Sequence, residues 1–94
     1  MFILQFEHPV MSFEKWKKVF DSDPLGRQKS GVRAYRISCP ADNGSYVIGE
    51  LEFDSEGEAQ EFLVRLRALW QNVQGKLIEN SRGRVVEVVE QKAL

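Results

Sequence analysis

Ser45-Tyr46-Val47-Ile48-Gly49-Glu50-Leu51-Glu52-Phe53, running into Asp54-Ser55-Glu56-Gly57-Glu58-Ala59, is the stretch on which the fold turns. Its first part alternates. Val47, Gly49, Leu51 and Phe53 fall on one face and Tyr46, Ile48, Glu50 and Glu52 on the other, the period of two expected of a strand covered on one side. Ser55 to Glu58 then reads Ser-x-x-Glu, a capping box that satisfies the first free amides of a helix. Beyond it the period becomes 3.6: Ala59, Phe62, Leu63, Leu66, Leu69, Trp70 and Val73 trace one apolar stripe.

Upstream of this switch, Val32 to Cys39 reads as a strand, and Pro40-Ala41-Asp42-Asn43-Gly44 as the turn that makes it a hairpin with Ser45–Phe53. Further back, Phe13, Trp16, Val19 and Phe20 recur at helical spacing after an N-cap at Ser12, with Glu14, Lys15, Lys17 and Lys18 on the wet side. Asp21-Ser22-Asp23-Pro24 interrupts that helix. Asp23 is suited to cap a second short helical stretch that starts at Pro24 and stops at Gly31. The first strand is Phe2 to Glu7, with Phe2, Leu4 and Phe6 on one face and Ile3, Gln5 and Glu7 on the other; His8-Pro9-Val10 ends it. Downstream of the long helix, Gly75 to Gly83 reads as a loop with a short turn, and Arg84 to Gln91 as the last strand. The order β-α-β-β-α-β specifies an α+β, ferredoxin-like sandwich: a four-stranded antiparallel sheet with both helices on one face. No repeat or linker interrupts it, so residues 1–94 parse as a single domain.

The bulk properties narrow the classes of function. The chain is 43% hydrophobic and 29% charged, with 13 basic and 14 acidic side chains and a net charge of −1, a balance with no general pull toward nucleic acid or anionic membranes. No run approaches the roughly 20 apolar residues of a membrane span. The start, Met1-Phe2-Ile3-Leu4-Gln5, enters a strand pattern with no basic region before it, unlike a signal peptide. Cys39 is the only cysteine, which leaves no internal disulfide and no thiolate metal site, and the simplest compartment is a reducing cytoplasm. An RNA-recognition strand would carry aromatics in a basic-Gly-aromatic pattern; Gly44-Ser45-Tyr46-Val47-Ile48-Gly49-Glu50 does not. A phosphate-cradling loop after strand one would need glycine and arginine, and His8-Pro9-Val10-Met11 has neither. No nucleotide loop or nucleophile triad can be read, so no cofactor is expected.

A sheet with helices on one side only leaves its other face open. That face carries Ile3, Gln5 and Glu7 with Tyr46, Ile48, Glu50 and Glu52. On strand two, either Tyr35, Ile37 and Cys39 or Val32, Ala34, Arg36 and Ser38 join them. On strand four, Val85, Glu87 and Val89 compete with Val86, Val88 and Glu90. Both arrangements mix apolar groups with carboxylates, a surface suited to a second copy of the chain and to a small, partly apolar or aromatic ligand.

Phe13-Glu14-Lys15-Trp16-Lys17-Lys18-Val19-Phe20, Asp23-Pro24-Leu25-Gly26-Arg27 and Gly31-Val32-Arg33-Ala34-Tyr35-Arg36, with Glu52-Phe53-Asp54-Ser55 leading to Ala59 and Phe62-Leu63, resemble the dimeric α/β-barrel superfamily. Within it the chain is most similar to small proteins related to antibiotic-biosynthesis monooxygenases, many of unknown function. The resemblance implies a homodimer packed sheet to sheet into a barrel. It also implies a role among cofactor-independent monooxygenases, isomerases or cyclases acting on an aromatic or polyketide-like substrate. Haem-degrading members use an Asn, a Trp and a His together; here Trp16 stands on the first helix, with no Asn in strand one and no His in either helix. The alternative is a non-catalytic binding or stress-associated protein with a closed pocket.

Within this frame His8 is the natural proton carrier, because imidazole titrates near neutrality, although a loop residue beside Pro9 also fits a solvated position. Glu7 is expected near it, substantially buried in the dimer, with His8 at the cavity mouth. Gln5, Tyr35, Arg36, Tyr46 and Glu50 are the expected ligand contacts, Tyr35 and Tyr46 because a phenol both lines a cavity and hydrogen-bonds. Ion pairing that fixes strand register is the plain alternative for Glu7, Glu50 and Arg36. Asp23 and Arg27 read as a cap and an i,i+4 pair, and Trp16 and Trp70 as core.

Overall fold

The computed structural model describes residues 1–94. Its elements are β1 (Phe2–Pro9), α1 (Phe13–Asp21), β2 (Val32–Ser38), β3 (Tyr46–Phe53), α2 (Glu56–Val73) and β4 (Arg82–Glu87). The four strands make one antiparallel sheet in the order β2-β3-β1-β4, the ferredoxin-like arrangement that the periodicity predicts. The helices form where their caps direct. Ser12 accepts from the Lys15 amide, and Ser55 accepts from the Glu58 amide while donating to the Glu58 carboxylate.

β2 and β3 are each one residue shorter than the sequence reading, and three larger differences each have a physical reason. β1 continues through His8 to Pro9, because β4 extends no further along β1 than Arg82 opposite Glu7. Pro9 therefore lacks an N–H on a side where no ladder partner waits, and its carbonyl accepts from the Glu79 amide. β4 begins at Arg82 and ends at Glu87 instead of spanning Arg84 to Gln91, since β1 begins at Phe2, which pairs Glu87, and beyond it only the Val88 amide finds a partner, the Met1 carbonyl. Residues 22–31 form turns rather than a second helix. Asp23 takes a left-handed φ of 57° and its carboxylate accepts from the Arg27 amide, which ties a turn in place of a helix start.

Register settles the faces. Tyr35 and Ile37 lie opposite Leu51 and Gly49 and so point toward the helices, whereas Ala34, Arg36 and Ser38 lie opposite Glu52, Glu50 and Ile48 on the open side. On β4, Gly83 and Val85 face the helices, and Arg82, Arg84 and Val86 the open side. The buried core is formed from Leu4, Phe6, Val47, Leu51 and Phe53 of the sheet against Trp16 of α1 and Ala59, Phe62, Leu63 and Trp70 of α2. Phe6 occupies a particular place in it. Its cross-strand partners are Gly49 on one side and Gly83 on the other. A side chain at Gly49 would overlap the Phe6 ring, and one at Gly83 would press on Leu63 and Trp70. The ring lies flat over backbone for want of neighbours in its row.

Candidate functional site

His8 is wholly buried on the helix side, in phase with Leu4 and Phe6. Its ring stacks on Phe6 at 5.8 Å and meets Trp16 and Trp70 edge-on at 5.8 and 6.2 Å. Nδ1 lies 3.1 Å from the Pro9 carbonyl oxygen, which can only accept, so Nδ1 carries the hydrogen. Nε2 is then a bare acceptor. It is buried and has no hydrogen-bond partner. Burial lowers the imidazole pKa from its ordinary 6.5, outweighing the opposing backbone hydrogen bonds, and keeps the ring neutral at physiological pH.

The imidazole borders a cavity of about 70 Å³ between sheet and helices. Phe6 and Leu51 form its floor, Trp16, Val19 and Phe20 line it from α1, and Phe62, Leu66, Leu69, Trp70 and Val73 from α2. Leu66, Leu69 and Val73 belong to the α2 stripe yet are only half-buried, and the cavity beside them is the reason. At the mouth stand Asp23, Pro24, Leu25 and Arg27 of the α1–β2 connection. Arg27 donates to the Phe20 carbonyl at 2.6 Å, lies 3.5 Å from the Asp23 carboxylate, and has its guanidinium 4.0 Å above the Phe20 ring and 5.0 Å from that of Tyr35. Arg65 reaches from α2 to the same connection, with donors on the Leu25 carbonyl and the Ser30 hydroxyl. A bare base in a largely aromatic chamber can accept a hydrogen bond or a proton from a ligand that reaches it. It has no group of three or more His, Cys, Asp or Glu around it that could hold a metal.

The open face is built differently. Tyr46 donates to the Glu7 carboxylate at 2.8 Å, a bond that raises the phenol pKa, and Arg82 is paired with Glu7 across the β1–β4 ladder. Arg36 lies 3.7 Å from Glu50, and Arg84 donates to the Gln5 side chain at 3.1 Å. Three carboxylates (Glu7, Glu50, Glu52) and three guanidinium groups (Arg36, Arg82, Arg84) are set among Ile3, Ile48 and Val86.

The expected site residues therefore divide. Glu7 and His8, expected side by side as proton carriers, point to opposite faces because successive strand residues must. His8 is inside the sandwich rather than in a loop at the mouth of an open-face pocket. Tyr35 turns to the helix side, where it meets Phe20 edge-on at 5.2 Å, while Gln5, Arg36, Tyr46 and Glu50 share the open face with Glu7. The aromatic walls of the cavity, Phe6, Trp16 and Trp70, were legible as core residues but not as a site. The available signal was the phase of His8, since extending the Phe2-Leu4-Phe6 alternation by one step places it among them.

This strand order under two helices, with a chamber between the layers, defines a ferredoxin-like α+β protein. Among solved structures the chain matches a candidate antibiotic biosynthesis monooxygenase from Deinococcus radiodurans at a TM-score of 0.72 and 12% identity, covering 100% of this chain and 98% of that one. SnoaB, a cofactor-independent oxygenase from Streptomyces nogalater, matches at 0.72 and 11%, covering 96% and 94%. A dimeric ferredoxin-like protein from an uncultured marine organism matches at 0.68 and 15%, covering 100% of both chains. At such identities the likeness is one of fold. No family model and no curated protein matches the chain. No helix is long and apolar enough to cross a membrane.

Proposed function

We propose that this chain is a one-domain protein that binds a small aromatic molecule between its sheet and helices and acts on it without a cofactor, as an oxygenase, isomerase or cyclase. The observation that carries this reading is the unpartnered, enclosed Nε2 of His8, a residue of the cavity lining. A buried polar atom left without a hydrogen bond costs about 1–3 kcal/mol, a cost that folding alone does not explain. His8 would serve as the proton acceptor: neutral, held in one tautomer by Pro9, and screened from water. The match to a cofactor-independent oxygenase supports the reaction class. Glu7 plays no part in this chemistry within one subunit.

The reading includes a homodimer through the open sheet face, in a reducing cytoplasm. Half-buried Ile3, Ile48 and Val86 are unusual on a solvated sheet, and the equal numbers of carboxylates and guanidiniums there suit a self-complementary, two-fold contact. Sedimentation equilibrium should give twice the chain mass, with a total interface on the order of 1,600 Å². Ile48→Asp should give the monomer. For the site, a melting-shift screen of small aromatics followed by dioxygen uptake and product analysis should yield turnover that His8→Leu abolishes. Stabilising compounds that are never transformed would select the non-catalytic binding reading. Hits indifferent to His8→Leu would remove both.

A further inference from the structure

The shape and the hydrogen-bonding sense of the chamber restrict its occupant beyond the reading above, on which this inference rests. Nε2 of His8 carries a lone pair and no hydrogen, because the ring hydrogen is on Nδ1 facing Pro9; it is closed over by its neighbours, so a ligand reaches it only by parting the chamber wall. A ligand must therefore bring a donor. An anion finds little welcome. The cation at the mouth, Arg27, is already matched by Asp23, bonded to the Phe20 carbonyl and covered by the Phe20 ring. The remaining walls are apolar and largely aromatic, which suits the face and edge of another ring. Size completes the restriction. About 70 Å³ is roughly half of the ~150 Å³ in which an engineered apolar cavity holds benzene. One ring fits if half-buried Leu66 and Leu69 yield slightly; fused rings need a larger opening of the helix layer or must protrude at the mouth.

We propose that the chamber selects a neutral, single-ring aromatic hydroxyl compound, a phenol, held by donation of its hydroxyl hydrogen to Nε2 of His8. The probes are phenol, anisole, benzoate and 1-naphthol, titrated into the intact protein and followed by calorimetry and by the ¹⁵N resonance of His8 Nε2. Phenol should bind at least about tenfold more tightly than anisole, the factor expected when the buried acceptor stays unpaired. It alone should shift the Nε2 resonance, and His8→Leu should erase the preference. His8→Gln, which keeps an acceptor, should restore part of it. Benzoate should not compete. Anisole equal to phenol, or a silent Nε2 resonance, overturns the donor requirement. Naphthol tighter than phenol, with the dependence on His8 intact, overturns the single-ring limit while sparing the ligand-site reading. No binding by any probe at millimolar concentration overturns both.

Discussion

Glu7 and His8 are adjacent in the chain and face opposite surroundings. The carboxylate is on the wet side of the sheet, with Tyr46 donating to it and Arg82 beside it; the imidazole is on the dry side with one nitrogen bonded and the other bare. On the wet face polar groups have found one another, so what they contribute there is strand register. On the dry face the imidazole has one nitrogen unmatched among aromatic rings; Arg65 Nε and Ser81 Oγ are the other buried atoms without a partner, and neither residue lines the chamber. An unmatched group in a packed interior marks function more strongly than a charged cluster does, because water tolerates the cluster and nothing in the interior compensates the orphan.

The contrast between the faces can be tested by substitution. Leu4→Ala, on the dry face and fully buried, should lose about 2–5 kcal/mol in chemical denaturation. Leu66→Ala should fall at the lower end of that range, since its side chain already borders a void. A loss at Leu4 as small as at an exposed position would mean that the faces are assigned wrongly. His8→Leu should leave stability unchanged or raise it by up to about 1–3 kcal/mol, by removing a buried acceptor that has no partner. A large loss would show that the imidazole is structural.

Acid should expose the same asymmetry. The folded state holds His8 neutral with a pKa below 6.5, so the unfolded chain binds more protons as pH falls past that value. Stability should be fully present above 6.5 and decline on acidification toward the folded pKa. His8→Leu should flatten that part of the profile; a variant that tracks the parent assigns the slope to other groups. Tyr46→Phe, which removes the hydroxyl from Glu7 on the wet face, should cost about 0.5–1.5 kcal/mol without altering ligand binding in the chamber. Smallest of all, Arg33→Ala should change stability by about 0.5 kcal/mol or less, because its pair with Asp54 is exposed on both sides.

The fold was legible because hydrophobic period and caps agree at α1, α2 and β3, from the Ser55 capping box to the alternation of β3. The site was less legible. Alternation alone gives Phe2, Leu4 and Phe6 a common face, and His8 follows in phase, but Pro9 reads as a strand end and hides that step. Nothing local shows that β4 stops at Arg82 and so leaves Pro9 room in the strand, since that limit comes from a ladder between residues some eighty positions apart. The orientation of Tyr35 is likewise a matter of cross-strand register with Leu51, set after an irregularity between Val32 and Ala34 that leaves no mark in the pattern.

Gly49 and Gly83 give the Phe6 row its clearance, and clearance of this kind can be passed along. A methyl group added at Gly49 must move Phe6, and one added at Gly83 bears on Leu63 and Trp70. Phe6 and Trp70 are also walls of the chamber. Two backbone positions outside the chamber lining thus act as dials for the chamber's shape. A lineage under selection for a different occupant could alter the volume from the strands, leaving His8 and its Pro9 anchor untouched.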